Sequence, residues 1–378
     1  MMEGSNNKIN LGDFDVSETT GFADGDILEK LPEYFQPWTN ISSRLVDLIE
    51  NKTVWEHVDK LELLDHKKLN GQAELRLAHL QLSFIVAGYV WQNGPNNPTK
   101  GIPKCIAIPF YGVSERLSLP PVICYCDVIL WNWRPVDPKA PLTKDNIKPL
   151  YLFPGGHETE MFMRVSLGIE LAFLPAIQCV LNAMYAAEDS DSSSLTKCLE
   201  DVASTLRKMT ELLNGYHDVL SASTFFNVLS NFFKGYGPNT PLPEGLLFEG
   251  VSDKPIYATS ASAAPTSTLP LVDAALGVKH TEGNKTMTDV FRKHMPLGHR
   301  KLLETVEERS QIRRFVMNQK DAVLTSAFES CLRGLADFRS GHIKIVTKYV
   351  VVPANGSVPG IDDLMNFLKG MRNESTGN

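Results

Sequence analysis

The stretch TEMFMRVSLGIELAFLPAIQCVLNAMYAAE, residues 159–188, decides the fold class. Its apolar residues occupy every side of a helix, and a helix of that kind is buried in the middle of a bundle. Pro175 is expected to kink it. Residues 195–213 follow with apolar residues at three- and four-residue steps, which predicts an amphipathic helix that Gly215 ends. The sequence therefore predicts a large helical region built around residues 159–188.

The region before residue 150 has a more mixed pattern. Helical spacing occurs at 40–64 and at 74–91. The apolar runs 106–110 and 122–130 fit either strands or buried helix, because periodicity does not separate the two. We therefore expect a smaller part of mixed structure ahead of the helical one.

Length and charge limit the possible classes of protein. A chain of 378 residues has room for two domains, and we predict a small domain over 1–150 and a large helical domain over 151–378. The net charge of −7 lacks the basic excess that a nucleic-acid partner requires. The longest apolar run, 84–91, is far shorter than the about 20 residues of a membrane span. Polar residues follow Met1, so we expect a cytoplasmic protein without a membrane segment.

The familiar enzyme motifs do not occur. None of the six cysteines forms a CxxC pair, which predicts reduced thiols and no cysteine-clipped metal. HExxH, GxGxxG, the phosphate-binding loop and GxSxG are missing as well. Because there is no CxxCH, any haem would be held non-covalently. Single residues and their surroundings are therefore the guide to function.

Residues 258–267, ATSASAAPTS, form a small, hydroxyl-rich stretch inside the aperiodic segment 235–269. One interpretation is a flexible linker. The other is a loop of small residues that lets the backbone approach a bulky ligand. The residues alone leave both open.

His342 lies within 321–352, where the pattern is helical throughout. Apolar residues share its helical face on both sides, namely Phe328, Cys331, Leu335, Phe338, Ile345, Val346 and Tyr349. It is either a core histidine bonded to a neighbour or an axial ligand, because haem needs a neutral imidazole on a rigid apolar element. Arg339, three residues earlier, is placed to reach a haem propionate.

With these residues in view, the chain resembles the indoleamine 2,3-dioxygenase family from about Leu31 to Lys369. The matching stretches are Leu119–Asp127, Asn132-Trp133, Val165–Leu167, Ala222–Leu229, Arg339–Tyr349 and Asp363–Lys369. Agreement over so many separated blocks is more specific than any single motif.

The resemblance implies a mainly α fold in which haem b lies between the two domains. It implies that the small domain covers the distal side and that His342 is the proximal iron ligand. Arg339 would bind a propionate, with Asp273 as its ion-pair partner. The remaining cofactor contacts that it implies are Ser262, Ala263, Ala264 and Val346. The distal pocket that it implies is lined by Tyr125, Phe162, Ser166, Phe225, Phe226, Ser230 and Phe233.

The departures from the family pattern fall in the substrate site. The enzymes hold the substrate carboxylate with an arginine at the position of Ser230, and a serine cannot supply the two charge-assisted bonds of a guanidinium. They also carry a substrate-contacting threonine where this chain has Val358–Ile361, and Pro359 offers neither hydroxyl nor amide hydrogen. Arg164 is two residues from Ser166, about 200° around the helix, so we expect it to point elsewhere.

Two functions follow from this combination. The chain is similar to the indoleamine-dioxygenase-like myoglobins of molluscs, which implies a haem protein that stores or delivers O2 in muscle, with Ser166 as the hydroxyl expected to face O2. The alternative is a dioxygenase that converts L-tryptophan to N-formylkynurenine with weak substrate binding. Binding of other indole compounds and formation of a homodimer are left open.

Overall fold

The structure is a computed structural model that describes residues 8–23, 25–259, 266–356 and 358–377. These residues are mainly helical, which confirms the predicted fold class. Strands are few and short in the described part of the chain.

Short helices surround one long helix in the first part of the chain. They are α1 (Gln36–Ser42), α2 (Leu45–Glu50), α3 (Val54–Val58), α4 (Gly71–Trp91) and α5 (Lys104–Leu117), with 3-10 turns at Leu11–Phe14, Glu33–Phe35 and His66–Lys68. A π-helix follows at Cys126–Leu130. The helix expected at 74–91 is confirmed as α4, whereas the pattern at 40–64 divides among three short helices. The run 106–110 lies in α5 and 122–130 ends in the π-helix, so the helical interpretation of both runs is the correct one.

Two small sheets join distant segments. Strand β1 (Gly101–Ile102) pairs in parallel with β4 (Leu247–Phe248), and β2 (Arg134–Pro135) pairs antiparallel with β3 (Ile147–Lys148). The β1–β4 pair brings the segment around residue 247 back onto the first part of the chain.

Longer helices form the second part of the chain. They are α6 (Gly156–Glu188), α7 (Ser192–Asn214), α8 (Tyr216–Val219), α9 (Ala222–Asn227), α10 (Thr268–Leu276), α11 (Glu282–Arg292), α12 (Leu297–Arg309), α13 (Ile312–Gln319), α14 (Ala322–Val346), α15 (Val352–Ala354) and α16 (Ile361–Ser375). A 3-10 turn covers Leu229–Phe233 and a second π-helix covers Thr347–Val351. α6 continues through Pro175, and α7 ends directly before Gly215, where α8 takes over.

Side-chain caps explain where two of the long helices begin. The Asp321 carboxylate accepts hydrogen bonds from the amides of Val323 (2.8 Å) and Leu324 (3.1 Å) at the start of α14. The Asp191 carboxylate accepts one from Ser194 (3.0 Å) at the start of α7. These bonds satisfy amides that have no partner within the helix.

The buried apolar residues form two clusters that meet at α6. The first cluster contains α4, α5 and the segment from Leu229 to Ala258, and it includes Met163 and Leu167. The second contains α7, α10, α12 and α14, and it includes Val165 and Ile169. Since neighbouring residues of α6 enter opposite clusters, this helix lies between them, as its all-round apolar pattern predicts. The domain boundary near residue 150 stays a prediction.

Burial also explains why α6 is so apolar. By length and composition it is the one described helix that could cross a membrane, but 67% of its most apolar window is buried in the protein. It is therefore the core helix of a soluble fold.

Candidate functional site

His342 lies near the C-terminal end of α14, one turn before the π-helix at Thr347–Val351. Burial lowers the pKa of the His342 imidazole to about 4, so the ring is neutral at pH 7. Part of its surface remains accessible, and neither ring nitrogen bonds to a described residue. Because neither nitrogen is committed to a described group, the lone pair of the neutral ring is available to bind a ligand.

Arg339 forms a buried ion pair one turn before His342. One of its terminal nitrogens donates to Asp273 Oδ2, and the other donates to the Met371 carbonyl (3.2 Å) and to the Ser375 hydroxyl. The ion-pair partner that the resemblance implies is therefore the one that the structure contains. The guanidinium has five N–H groups, so two remain for a further anion.

An aromatic wall links α6, α9 and the π-helix after α14. The Phe162 ring centre lies 5.7 Å from that of Phe225 and 6.0 Å from that of Phe233. Phe225 in turn lies 6.0 Å from Tyr349. The Tyr349 hydroxyl is 3.1 Å from the Tyr216 carbonyl oxygen, which holds the ring in place. The structure thus brings together three of the aromatic residues predicted for the distal pocket.

Ser166 has no uncommitted proton. Its hydroxyl donates to the Phe162 carbonyl at 2.8 Å and lies 2.5 Å from the Tyr216 hydroxyl. Because serine has a single O–H, the Tyr216 hydroxyl is the donor in the second bond. The expectation that Ser166 donates to O2 would require it to release the Phe162 carbonyl.

Tyr125 is bound to a carboxylate that the sequence analysis did not single out. Its hydroxyl donates to Glu170 Oε1 at 2.8 Å, and burial raises the pKa of the phenol well above its ordinary value. Thr266 and Thr268 donate to the same carboxylate, each at 2.6 Å. Glu170 is the one acid in the apolar stretch from Met161 to Phe173, and this isolation is the signal that could have identified it.

The position at which the family's enzymes carry the clamping arginine is occupied by Ser230, which has no charge. Ser230, in the 3-10 turn, donates its hydroxyl to the Phe226 carbonyl of α9 at 2.9 Å. Arg164 is directed away, as predicted, since it donates to the Lys144 carbonyl (2.8 Å) and to Glu160 (3.3 Å). The nearest cation in sequence is Lys234, whose ammonium donates to the Asn231 side chain at 2.8 Å and whose pKa burial lowers to about 8.

The other implied contacts are placed only in part. Val346 is the last residue of α14, one turn after His342, and is partly buried. Ser262, Ala263 and Ala264 lie outside the described residues, so the two interpretations of that stretch stay open. The segment before it is no linker, since Tyr236, Leu246 and Phe248 are buried in the first cluster.

Three other histidines are buried and hydrogen-bonded to neighbouring groups within the fold. His79 is fully buried, with Nδ1 2.7 Å from Asp127 and Nε2 3.1 Å from Ser114. His294 and His299 are also buried, and both bond to neighbouring groups.

Cys124, Cys126 and Asp127 form a buried group whose possible metal-ligand atoms lie within 4.8 Å of one another. The Asp127 carboxylate already accepts hydrogen bonds from His79 and from the Cys124 amide.

These observations fit the cofactor that the resemblance implies. His342 offers a neutral, unpartnered imidazole in apolar surroundings, which is the form of histidine that binds iron. Arg339 keeps free N–H donors for a carboxylate, and the aromatic wall supplies a flat apolar surface. The residues present could therefore hold a haem through His342 and Arg339.

Comparison with known proteins gives one consistent result. The family model for indoleamine 2,3-dioxygenase matches residues 10–376. Indoleamine 2,3-dioxygenase 1 of Rattus norvegicus is 35% identical over 96% of this chain and 94% of its own length. Myoglobin of Haliotis diversicolor is 34% identical over 97% of this chain and 98% of its own. Indoleamine 2,3-dioxygenase 2 of Homo sapiens is 33% identical, covering 92% and 85%.

Proposed function

Because this chain belongs to the indoleamine 2,3-dioxygenase family, we propose that it binds haem b without a covalent link and binds O2 reversibly, for oxygen storage or delivery in the cytoplasm of muscle. His342 would be the proximal ligand and Arg339 the propionate partner. One observation carries the choice of an O2 carrier over an enzyme. The position at which the family's enzymes bind the substrate carboxylate is Ser230, whose hydroxyl is bonded to the Phe226 carbonyl.

The chain's own residues would hold and shield the cofactor. The neutral His342 imidazole offers a lone pair at a fixed place on α14, and Arg339 is held there by Asp273 and α16. Phe162, Phe225 and Phe233, which pack against one another, would line the ligand side. Haem iron, when bound, supplies the O2 affinity that no amino-acid side chain has.

The loss of the arginine weakens tryptophan binding by a calculable amount. A carboxylate left unpaired in a dry site costs about 2–5 kcal/mol, or about 30-fold to several thousand-fold in affinity. Arg164 does not compensate, since its guanidinium is bound to Lys144 and Glu160. We therefore expect an apolar pocket that admits O2 and retains amino acids poorly.

The relatives support membership of the family, and they include both a myoglobin and a dioxygenase by name. A molluscan myoglobin and a mammalian dioxygenase match this chain at 34% and 35% identity over nearly its whole length. The dioxygenase relative favours the alternative, a tryptophan 2,3-dioxygenase with weak substrate binding. Ser230 is the residue that separates the two.

The deciding experiment measures two properties of the reduced, haem-loaded protein. We expect an oxygenated absorption spectrum that persists when L-tryptophan is added, and no steady formation of N-formylkynurenine at micromolar tryptophan. Steady product formation at those concentrations would establish the dioxygenase and overturn the carrier. Rat indoleamine 2,3-dioxygenase 1, assayed in parallel, is the positive control.

A further inference from the structure

Glu170 is a buried acid in the apolar helix α6 that the proposed function does not use. Its side chain is only 4% exposed. Both carboxylate oxygens are engaged, Oε1 by the Tyr125 and Thr266 hydroxyls and Oε2 by the Thr268 hydroxyl. A buried carboxylate is costly unless hydrogen bonds compensate for the lost water, and here three donors do so.

The direction of these bonds follows from the count of protons. Each hydroxyl has one proton, and all three are directed at Glu170, which therefore acts as an acceptor only. Burial raises the pKa of the Glu170 carboxyl, and the three hydroxyl donors oppose that rise. Both oxygens of the Glu170 carboxylate therefore have donors, and no other described acid contacts it.

The three donors come from two segments that lie on either side of α6 in the sequence. Tyr125 directly precedes the π-helix Cys126–Leu130, and Thr268 is the first residue of α10. α10 also carries Asp273, which pairs with Arg339 of α14 one turn before His342. Glu170 is thus the point at which α6 is tied both to Tyr125 and to the helix that holds the Arg339 ion pair.

We propose that Glu170 is a positioning residue of the haem site, which ties the Tyr125 hydroxyl and the start of α10 to α6 and so holds Asp273 and Arg339 in place. This rests on the proposed function in one respect, namely that the group held by His342 and Arg339 is haem. The anchoring of α10 itself depends only on the protein.

The tie also engages the proton of the Tyr125 hydroxyl. Tyr125 gives its proton to Glu170, Tyr216 gives its own to Ser166, and Ser166 gives its own to the Phe162 carbonyl. All three protons are therefore engaged, and Glu170 holds the one that belongs to Tyr125. Removing the carboxylate releases the Tyr125 proton as well as α10.

The test compares variants of Glu170 with a buried control. Glu170→Leu removes all three bonds, Glu170→Gln keeps an acceptor oxygen, and Thr268→Val removes one bond. The control is Gln81→Leu, because Gln81 is also fully buried and bonds to a threonine and a tyrosine, Thr39 (3.0 Å) and Tyr151 (2.8 Å), away from the site. The readouts are the rate of haem transfer from the loaded protein to excess acceptor apoprotein, and amide hydrogen exchange of residues 268–276 without haem.

We expect Glu170→Leu to lose haem about tenfold faster than wild type, which corresponds to about 1.4 kcal/mol, and to exchange the α10 amides faster. Thr268→Val should show a smaller effect in the same direction, and Glu170→Gln should recover most of the wild-type rate. Gln81→Leu should lower thermal stability with haem loss within about twofold of wild type.

The outcomes separate the two proposals. If Glu170→Leu and Gln81→Leu change haem loss equally at equal thermal stability, Glu170 is only a core residue and the inference is overturned. If the wild-type chain takes up no haem, the proposed function fails. The α10 exchange then still decides whether Glu170 anchors that helix, and unchanged exchange in Glu170→Leu refutes it.

Discussion

At the scale of single residues, His342 differs from the buried histidines in having no partner among the described residues. His79 and His299 bond to described neighbours, whereas neither nitrogen of His342 does. Its imidazole is neutral and partly accessible, so its lone pair is available to a ligand, which is why this histidine is informative.

We predict that His342→Ala abolishes haem binding. The variant loses the one neutral imidazole placed for iron, so the haem absorption band of the purified protein should disappear, and added haem should no longer raise the melting temperature. His57→Ala is the matched control, since His57 on α3 is bonded to the carbonyl of Thr53, the residue before that helix. Haem uptake by His342→Ala equal to that of the control would contradict the assignment.

Ser230→Arg should restore part of a substrate clamp. A guanidinium at this position supplies the two charge-assisted bonds that the serine lacks, so the affinity for L-tryptophan should rise about 30-fold or more. Ser230→Gln adds length without charge and should change it little. The measurement is a titration of the haem-loaded protein with L-tryptophan, followed by the absorption spectrum. Equal affinities for the arginine and glutamine variants would show that position 230 is not the clamp.

His299 should make the fold sensitive to acid. It is 2% exposed, and burial, together with Arg76, lowers its pKa to about 3. The unfolded chain, with a histidine pKa of about 6.5, then binds more protons than the folded one between those values, so stability falls as pH drops through that window. Between pH 6.5 and pH 4.5 the loss from this residue is about 2 kcal/mol.

The corresponding measurement is urea unfolding at both pH values for wild type and His299→Phe. The variant has no titrating group at this position, so its free energy of unfolding should fall by about 2 kcal/mol less than that of the wild type. Identical acid losses in the two proteins would exclude His299 as the cause.

At the scale of secondary structure, α7 and α14 pack closely through two glycines. A Cβ atom at Gly334 would lie 3.1 Å from Leu206 Cβ, and one at Gly341 would lie 3.0 Å from Leu213 Cδ2. From the first contact to the second, the position advances by seven residues on α14 and by seven on α7. The two helices therefore run parallel along this contact. Gly341 directly precedes His342, so this packing also sets the position of the proposed ligand.

Gly334→Val should separate these helices. Overpacking of a close contact costs about 1–3 kcal/mol, so the free energy of unfolding should fall by that amount. Gly283→Val on α11 is the control, because nothing lies within 4 Å of the added Cβ and valine is the better helix former. Chemical denaturation of both variants checks the prediction, and equal stability of the two would show that the α7–α14 contact can relax.

The long helices were predictable and the short ones were not. α4, α6, α7 and α14 are long and apolar enough to be located from sequence, although the helical pattern predicted to run to 352 divides into α14, a π-helix and the start of α15. The segment 40–64 breaks into helices of five to seven residues, which local propensity cannot stabilise by itself. Their ends depend on packing against α4.

At the scale of the whole molecule, α6 joins the two apolar clusters. Leu167 belongs to the first and Ile169 to the second, although they are two residues apart. A helix shared in this way makes each cluster depend on the other. The molecule should therefore unfold in one cooperative step in spite of its two clusters.

Leu167→Ala and Ile169→Ala test this coupling. Each removes buried apolar volume and should lower stability by about 2–5 kcal/mol. In calorimetry both variants should shift the same single transition. Two resolved transitions, with each variant moving only one, would show that the clusters unfold independently.

The sequence by itself determined the helical class, the central place of residues 159–188 and the candidacy of His342, because all three rest on contacts within a few residues along one helix. The tertiary structure decided what surrounds the site. Glu170 meets Tyr125, Thr266 and Thr268 across separations of 45, 96 and 98 residues, and Arg339 meets Asp273 across 66. No local pattern encodes such partners, since they are brought together only when α6, α10 and α14 pack. For the same reason Ser166, a candidate donor in the sequence, became in the structure a hydroxyl whose proton is already bound to the Phe162 carbonyl.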